Sequence, residues 1–292
     1  MVTVLDDAAV LARLDPRAAV DAMREALIAA HRGELVAPPR VHADVLTFTG
    51  GRMPGRWYGY RSYDTHVGGE QLVVVHAEPT GQVAGVAVGT AIGAYRTGAL
   101  GGAAVDLLAR ADASTVGIIG AGDQAWTQLW AIAAVRPLTD VVVYSRDLDR
   151  RRSFAARAAA ELGVAIRAVD SAEEAVSGRD IVVLATSSST PVMDAAWLSA
   201  GTAVTTVGPK QVGRAEFGPD LPDRASLIAT DSPAQLGAYH PPAVLSRAPA
   251  VHLGAIAAGD HAGRTARDDI TLYASVGLAG TEPFLLARLL GL

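Results

Sequence analysis

The chain has 292 residues, half of them hydrophobic, a formal net charge of −5 and no cysteine, with a mean hydropathy of +0.25. That length and apolar content suit one large domain or two ordinary ones around a sizeable core, and the lack of thiols excludes disulfides and thiolate metal sites. The charge balance gives no footing for nucleic acid, the acids in MVTVLDDAAVLARLD speak against a secretory signal, and no apolar run approaches the ~18 residues of a membrane span, so a cytoplasmic protein is expected.

Asp15-Pro16 ahead of an amphipathic run predicts a helix to about His31, with Asp as cap and Pro in the first turn. Val41 to Thr47, Trp57 to Tyr63, Gln71 to His76 and Val83 to Val88 read as strands, with Glu78-Pro79-Thr80-Gly81 as a hairpin turn. Arg96 to Arg110 returns to helix. From Thr115 the pattern alternates, with strands at Val116–Ile119, Val141–Tyr144, Ala165–Val169, Ile181–Ala185, Ala203–Val207 and Leu227–Thr230. Six strands in βαβ order imply a Rossmann-type, doubly wound parallel sheet. Arg150-Arg151-Arg152 reads as a solvated helix face. A strand at Ile270–Tyr273 and a helix from about Thr281 should pack back on the N-terminal part. The expected fold class is therefore α/β, a Rossmann unit over 114–255 beside a discontinuous α+β domain formed by 1–113 and 256–292.

Within that frame TVGIIGAGDQA, Thr115 to Ala125, carries the strongest signal. Gly120, Gly122 and Ala125 stand at the G-x-G-x-x-A positions of the dinucleotide fingerprint. That pattern calls for a tight turn, close approach of backbone to pyrophosphate, and a small residue for helix-strand packing. Asp123 and Gln124 lie where the next helix begins, and its N–H groups would face the phosphates. The second strand ends Val143-Tyr144-Ser145-Arg146 with no acid, so Ser145 and Arg146 favour the 2′-phosphate of NADP(H) over NAD(H). Asp147, one residue on, reaches the ribose only if the strand ends later.

Ligands of such sheets bind beyond the carboxyl ends of the strands. Thr186 and Ser187 follow the fourth strand, Gly208-Pro209-Lys210 the fifth and Asp231 the sixth. Lys210 is the only lysine in the chain, placed where an ammonium can donate a proton or balance a carboxylate. Arg40 in PPRVH, Arg61 in YGYRSYD and Arg96 in AYRTGA lie in apolar or Gly/Pro-rich settings that call for anionic partners. Nearby acids such as Asp64, Glu70 or Asp106 could serve one arginine. Three converging arginines point to a carboxylate substrate. The seven histidines show no metal-ligand spacing.

The chain resembles the ornithine cyclodeaminase and mu-crystallin family, on PPRV at Arg40, Met53-Pro54, YGYRSY, YRTGA at Arg96, GAGDQA, ATSSSTPV, Val207-Gly208, Glu216, Asp231 and ITLYASVGLA. The resemblance implies a homodimer whose N-terminal domain, completed by the C-terminal segment, carries the substrate pocket and the dimer surface. It also implies that Arg40 and Arg96 hold the substrate carboxylate. Two departures stand out: Arg61 occupies the place of the family's catalytic lysine, and Lys210 that of an aspartate used by cyclodeaminases and alanine dehydrogenases. Ornithine's distal ammonium would be repelled by Lys210. The expectation is an NADP(H)-dependent reductase of a small carboxylate-bearing imine, or the reverse amino acid dehydrogenase. Arg61 would add a second anionic contact in it and Lys210, or Arg61, would take the catalytic proton-transfer role. A cyclodeaminase that recycles NAD internally and a non-catalytic NADPH-binding protein are the alternatives.

Overall fold

The computed structural model describes residues 2–64, 69–245 and 249–292. The chain opens with β1 (Thr3–Leu5) and the short α1 (Asp7–Leu11), and α2 then spans Pro16–His31. Asp15 caps α2 by accepting Ala18 N at 2.8 Å, and its apolar stripe from Ala19 to Ala29 is buried. The segment 41–47, expected as one strand, is a hairpin instead: β2 (Val41–Ala43) turns at Asp44, φ +55, into β3 (Leu46–Met53). Asp tolerates that left-handed conformation, and Gly50-Gly51 weakens the strand signature of β3 in the sequence.

Next come β4 (Trp57–Asp64), β5 (Leu72–Ala77) and β6 (Val83–Val88). They form a six-stranded sheet in the order β1-β6-β5-β4-β3-β2, antiparallel except for the β1–β6 pair. In β4 the alternation buries Trp57, Gly59 and Arg61 and exposes Tyr58 and Tyr60, so Arg61 points to the helix-covered face.

α3 (Ala91–Leu108) starts five residues before Arg96. Its cap comes from elsewhere, because Asp7 accepts Thr90 N at 3.1 Å and Ala91 N at 2.8 Å, a partner no local pattern reveals. A Cβ on Gly98 would stand 2.2 Å from Thr127 O, and one on Gly101 would overlap Gln128. These glycines let α3 lie against the first helix of the nucleotide unit, which brings Arg96 beside the glycine turn.

That unit runs β7 (Thr115–Ile119), α4 (Asp123–Ala133), β8 (Asp140–Tyr144), α5 (Leu148–Leu162), β9 (Ile166–Ala168), α6 (Ala172–Val176), β10 (Ile181–Leu184) and β11 (Ala203–Thr206). A small hairpin of β12 (Lys210–Gln211) and β13 (Arg214–Ala215) follows, then α7 (Asp220–Arg224), β14 (Leu227–Thr230), α8 (Pro233–Gly237), β15 (Val251–His252) and α9 (Leu253–Ala258). β16 (Thr271–Ala274) and α10 (Thr281–Leu289) end the chain. The eight-stranded sheet is parallel throughout, ordered β15-β14-β16-β11-β10-β7-β8-β9.

The C-terminal strand therefore does not go over to the N-terminal part. All four residues of β16 are buried, and they sit between β11 and β14, the position open to a strand covered on both faces. α10 alone crosses to the six-stranded sheet, where Phe284 meets Trp57 edge-on at 5.8 Å. The Arg150–Arg152 run is solvated at Arg150 and Arg152 but not at its middle residue. Arg151 is buried, donates to Ser145 O at 2.8 Å, pairs with Asp170 and lies over the Tyr144 ring.

Candidate active site

At the carboxyl end of β7 the chain turns at Gly120, φ +119, where a Cβ would lie 2.2 Å from Ala185 O. Gly122 heads α4 with no side-chain cap and with open space where a Cβ would be. The first N–H groups of α4 thus face a cleft of about 700 Å³ lined by Gly120, Gly122, Asp123, Gln124, Ser145, Arg146, Thr186, Ser187 and Gly208. A glycine-lined cradle with free helix amides fits a dinucleotide pyrophosphate. Ala125, the small residue of the fingerprint, is fully buried and packs among Val116, Ile118 and Leu129, so it shapes the cradle through helix–strand packing and does not line the cleft. β8 ends at Tyr144, and Asp147 caps α5 by accepting Arg150 N at 3.0 Å, while Arg146 and Arg150 line the cleft.

A second cavity of about 480 Å³ adjoins the first, sharing Gln124, Thr186, Ser187 and Gly208. It brings together Arg40, Arg96 and Lys210. Arg96 reaches in from α3, with Nη2 2.7 Å from Glu282 Oε1, while its buried Nε and Nη1 have no hydrogen-bond partner among the described residues. Arg40 is fixed through its guanidinium to Val276 O and Gly277 O. Those carbonyls are themselves placed by Asp231, which accepts Val276 N and Gly277 N at 2.8 Å and Leu278 N at 3.1 Å.

Lys210 is buried, its Nζ donating to Gly208 O at 2.6 Å. Burial lowers its pKa to about 8; Glu216 and Asp231 oppose that shift and Arg40 adds to it. Glu216 joins the ends of β10 and β11: Oε1 accepts Thr206 Oγ1 at 2.7 Å and Gly208 N at 2.6 Å, and Oε2 accepts Thr186 Oγ1 at 2.8 Å and Thr186 N at 2.9 Å. Tyr239 also lines the cavity, and burial raises its phenol pKa.

Arg61 is not brought into this cavity. Its Nη1 lies 2.7 Å from Glu282 Oε1, its Nη2 donates to Gln71 Oε1 at 2.5 Å, and its guanidinium stacks on Tyr63 at 4.0 Å. It lines a neighbouring hollow that shares Arg96. Burial lowers its pKa, with Glu282 opposing, and a guanidinium so occupied is a poor proton shuttle. The anionic partner of Arg61 and Arg96 is thus Glu282 rather than Asp106, which takes Arg24 and Arg136. Glu282 was missed because an acid in a helix's first turn is commonplace. Only its position beneath the inward side of β4 marks it. Among the described residues no His, Cys, Asp and Glu cluster could hold a metal ion, and no helix is long and apolar enough to cross a membrane.

Comparison with known proteins supplies the context for this geometry. The ornithine cyclodeaminase/mu-crystallin family matches residues 3–290. An uncharacterized cyclodeaminase of Sinorhizobium fredii is 35% identical over 201 residues, 66% of this chain and 60% of that protein. The aligned part spans about 60% of the length of the first curated relatives. Among solved structures, the Thermococcus litoralis Delta(1)-pyrroline-2-carboxylate reductase in complex with NADH and L-proline is similar at TM-score 0.88 and 27% identity, over 99% of this chain and 96% of that one. An archaeal alanine dehydrogenase dimer with bound NAD is similar at TM-score 0.88 and 25% identity, over 99% and 95%.

Proposed function

The chain belongs to the ornithine cyclodeaminase/mu-crystallin family, and we propose that it is an NADP(H)-dependent oxidoreductase that reduces the C=N bond of an imine carboxylate or runs the reverse amino acid dehydrogenation. The observation that carries this reading is Arg96. Its buried Nε and Nη1 lack hydrogen-bond partners among the described residues, in a cavity that opens onto the dinucleotide cleft and holds Arg40 and Lys210. Buried guanidinium N–H groups left unpaired beside a cavity call for an anionic acceptor.

When bound, the dinucleotide supplies or accepts the hydride. Gly120, Gly122, Asp123 and Gln124 would hold its pyrophosphate, and Ser145, Arg146 and Arg150 an adenosine 2′-phosphate. Asp147, occupied as a helix cap, is not among the residues lining the cleft, which supports NADP(H) over NAD(H). Arg40 and Arg96 bind the substrate carboxylate. In reduction Lys210 gives its Nζ proton to the imine nitrogen as the imine carbon gains the hydride, and in oxidation the neutral amine takes the proton back. Arg61 becomes a positioning residue that holds Glu282 against Arg96.

The cyclodeaminase alternative is disfavoured by the wall of the cavity, which presents Lys210 and no acid to a distal ammonium. A panel of cyclic imines and of 2-oxo acids with ammonium, run with NADPH and NADH, tests the reading. Stoichiometric cofactor oxidation supports it. Ammonia release with no net cofactor change would mark a cyclodeaminase, and tight NADPH binding without turnover a binding protein. We also propose a homodimer whose interface is the open face of the six-stranded sheet.

A further inference from the structure

Of the chain's 25 lysine and arginine residues only Lys210 is a lysine, and it lies in a cavity shared with the arginines Arg40 and Arg96. Either side chain can hold an anion, but only the lysine amine can lose its proton, attack a carbonyl and form an imine. Lys210 is 3% exposed, and its Nζ donates at 2.6 Å to the carbonyl of Gly208, which lines both this cavity and the dinucleotide cleft. The amine therefore stands where the two spaces meet, out of bulk water. No carboxylate closes on it among the described residues, because Glu216 is engaged by Thr186, Thr206 and the Gly208 amide, and Asp231 by the amides of 276–278. Burial, with Arg40 beside it, outweighs the pull of these two acids and leaves the amine with a pKa of about 8, so a fraction of it is free base near neutral pH. A desolvated amine next to a second cation is the setting in which lysine becomes a nucleophile.

Resting on the imine reductase reading above, we propose that Lys210 also makes the imine: its Nζ condenses with the carbonyl carbon of a 2-oxo acid, and the resulting Schiff base is handed to ammonia. Arg40 and Arg96 hold the carboxylate, one bond from the carbon under attack. The Nζ–C bond forms and the carbonyl oxygen departs as water, taking one proton from Nζ and one from solvent, so a protonated Schiff base remains. Seclusion from bulk solvent protects it from hydrolysis. Ammonia adds to the same carbon, a proton moves from the incoming nitrogen to Nζ, and the C–Nζ bond breaks. Lys210 is returned as the free amine, and the substrate is left as an iminium already carrying the proton that a ready-made imine takes from Lys210. That carbon then takes the hydride of NADPH. A cyclic imine enters without condensation and uses only the Lys210 proton.

The test treats the full chain with pyruvate and sodium cyanoborohydride, without ammonium, and locates the product by digestion and mass spectrometry. A single lysine makes the readout specific, since the other primary amine is the α-amino terminus. Expected is a reduced pyruvyl group on the peptide holding Lys210, about tenfold above the α-amino terminus. The label should fall about tenfold in Arg96→Ala, and also with acetone, which offers the arginines no carboxylate. Added ammonium should suppress it, and Lys210→Arg should carry none at that position. No label at Lys210, equal label with acetone or in Arg96→Ala, or label that ammonium leaves unchanged overturns the proposal. The reductase reading is judged apart, by NADPH oxidation with cyclic imines, which need no condensation. Turnover there without label leaves the reductase reading standing and Lys210 a proton donor alone, whereas label without turnover of any imine sustains the Schiff base and removes the reductase reading.

Discussion

Arg96 is held by Glu282, its Nη2 2.7 Å from Oε1, and the same oxygen lies 2.7 Å from Arg61 Nη1. All three side chains are buried. Burial alone would raise the pKa of Glu282, but the charges of Arg96 and Arg61 hold it down to about 2. One oxygen thus ties the inward face of β4 to α3 and α10 and fixes the plane of the Arg96 guanidinium.

Glu282→Gln leaves two buried guanidiniums facing a neutral amide, and the expected loss is about 3–5 kcal/mol of unfolding free energy. Denaturant titration measures it. Because the effect on turnover passes through Arg96, KM for the carboxylate substrate should rise more than kcat falls. Glu282→Asp should restore part of both. The sign with pH follows: the folded pKa lies below the ordinary 4.5, so the contribution is complete above that value and is lost as pH falls toward about 2. A KM unchanged in Glu282→Gln would mean that Arg96 needs no such support.

Lys210 titrates at about 8 rather than 10.5. Reduction needs the ammonium, so its rate should be full below about pH 8 and decline above it, while amino acid oxidation needs the neutral amine and should rise through the same pH. Lys210→Ala should lower kcat by roughly 10²–10⁴. Lys210→Arg keeps the charge but releases no proton, so substrate binding should survive while kcat and the limb near pH 8 are lost. A pH-rate profile in both directions decides it, and a limb that persists in Lys210→Arg would remove Lys210 from the proton path.

Local signals explain how much of this site was legible. GAGDQA fixes its own turn and helix, so Gly120 to Gln124 could be placed from residues alone, and Lys210 and Arg96 stood out by type and neighbourhood. Glu282 could not, because its role depends on α10 lying under β4, more than 200 residues away in sequence, and nothing local to TEPF differs from an ordinary helix start. Arg61 misled for the complementary reason: alternation along β4 predicts burial but not the partner. The sheet order failed similarly at β16, where a buried strand reads alike at an edge or between β11 and β14. Arg151 shows the limit of charge runs, since a single inward residue in RRR anchors Ser145 while its neighbours face outward.

Arg146 and Arg150 flank the end of β8 while Asp147 is turned to cap α5. Arg146→Ala should raise KM for NADPH about tenfold, equivalent to ~1.4 kcal/mol for one exposed guanidinium–phosphate contact. KM for NADH should change by less than about twofold, since no 2′-phosphate is present to lose the contact. Initial rates with each cofactor measure both. An equal rise for the two would mean that Arg146 acts on the fold of the loop rather than on the phosphate.

On the open side of the six-stranded sheet, Val4, Val86, Val74, Tyr60 and Gly50 lie directly opposite one another across β1, β6, β5, β4 and β3. Phe48 and Tyr58 extend this row along β3 and β4, and Val4, Phe48, Tyr58 and Tyr60 are 66, 40, 36 and 39% exposed. Exposed apolar residues in such a row, with buried Val74 between them, are uncommon on a monomer, and α10 packs on the opposite face. A second copy placed on this band would bury it isologously, each Tyr60 near the two-fold axis. Tyr60→Asp puts a charge there without entering the core, so sedimentation velocity should show a dimer for the parent chain and a monomer for the variant, with the circular dichroism of the two alike. A variant that sediments as the parent does would place the interface elsewhere.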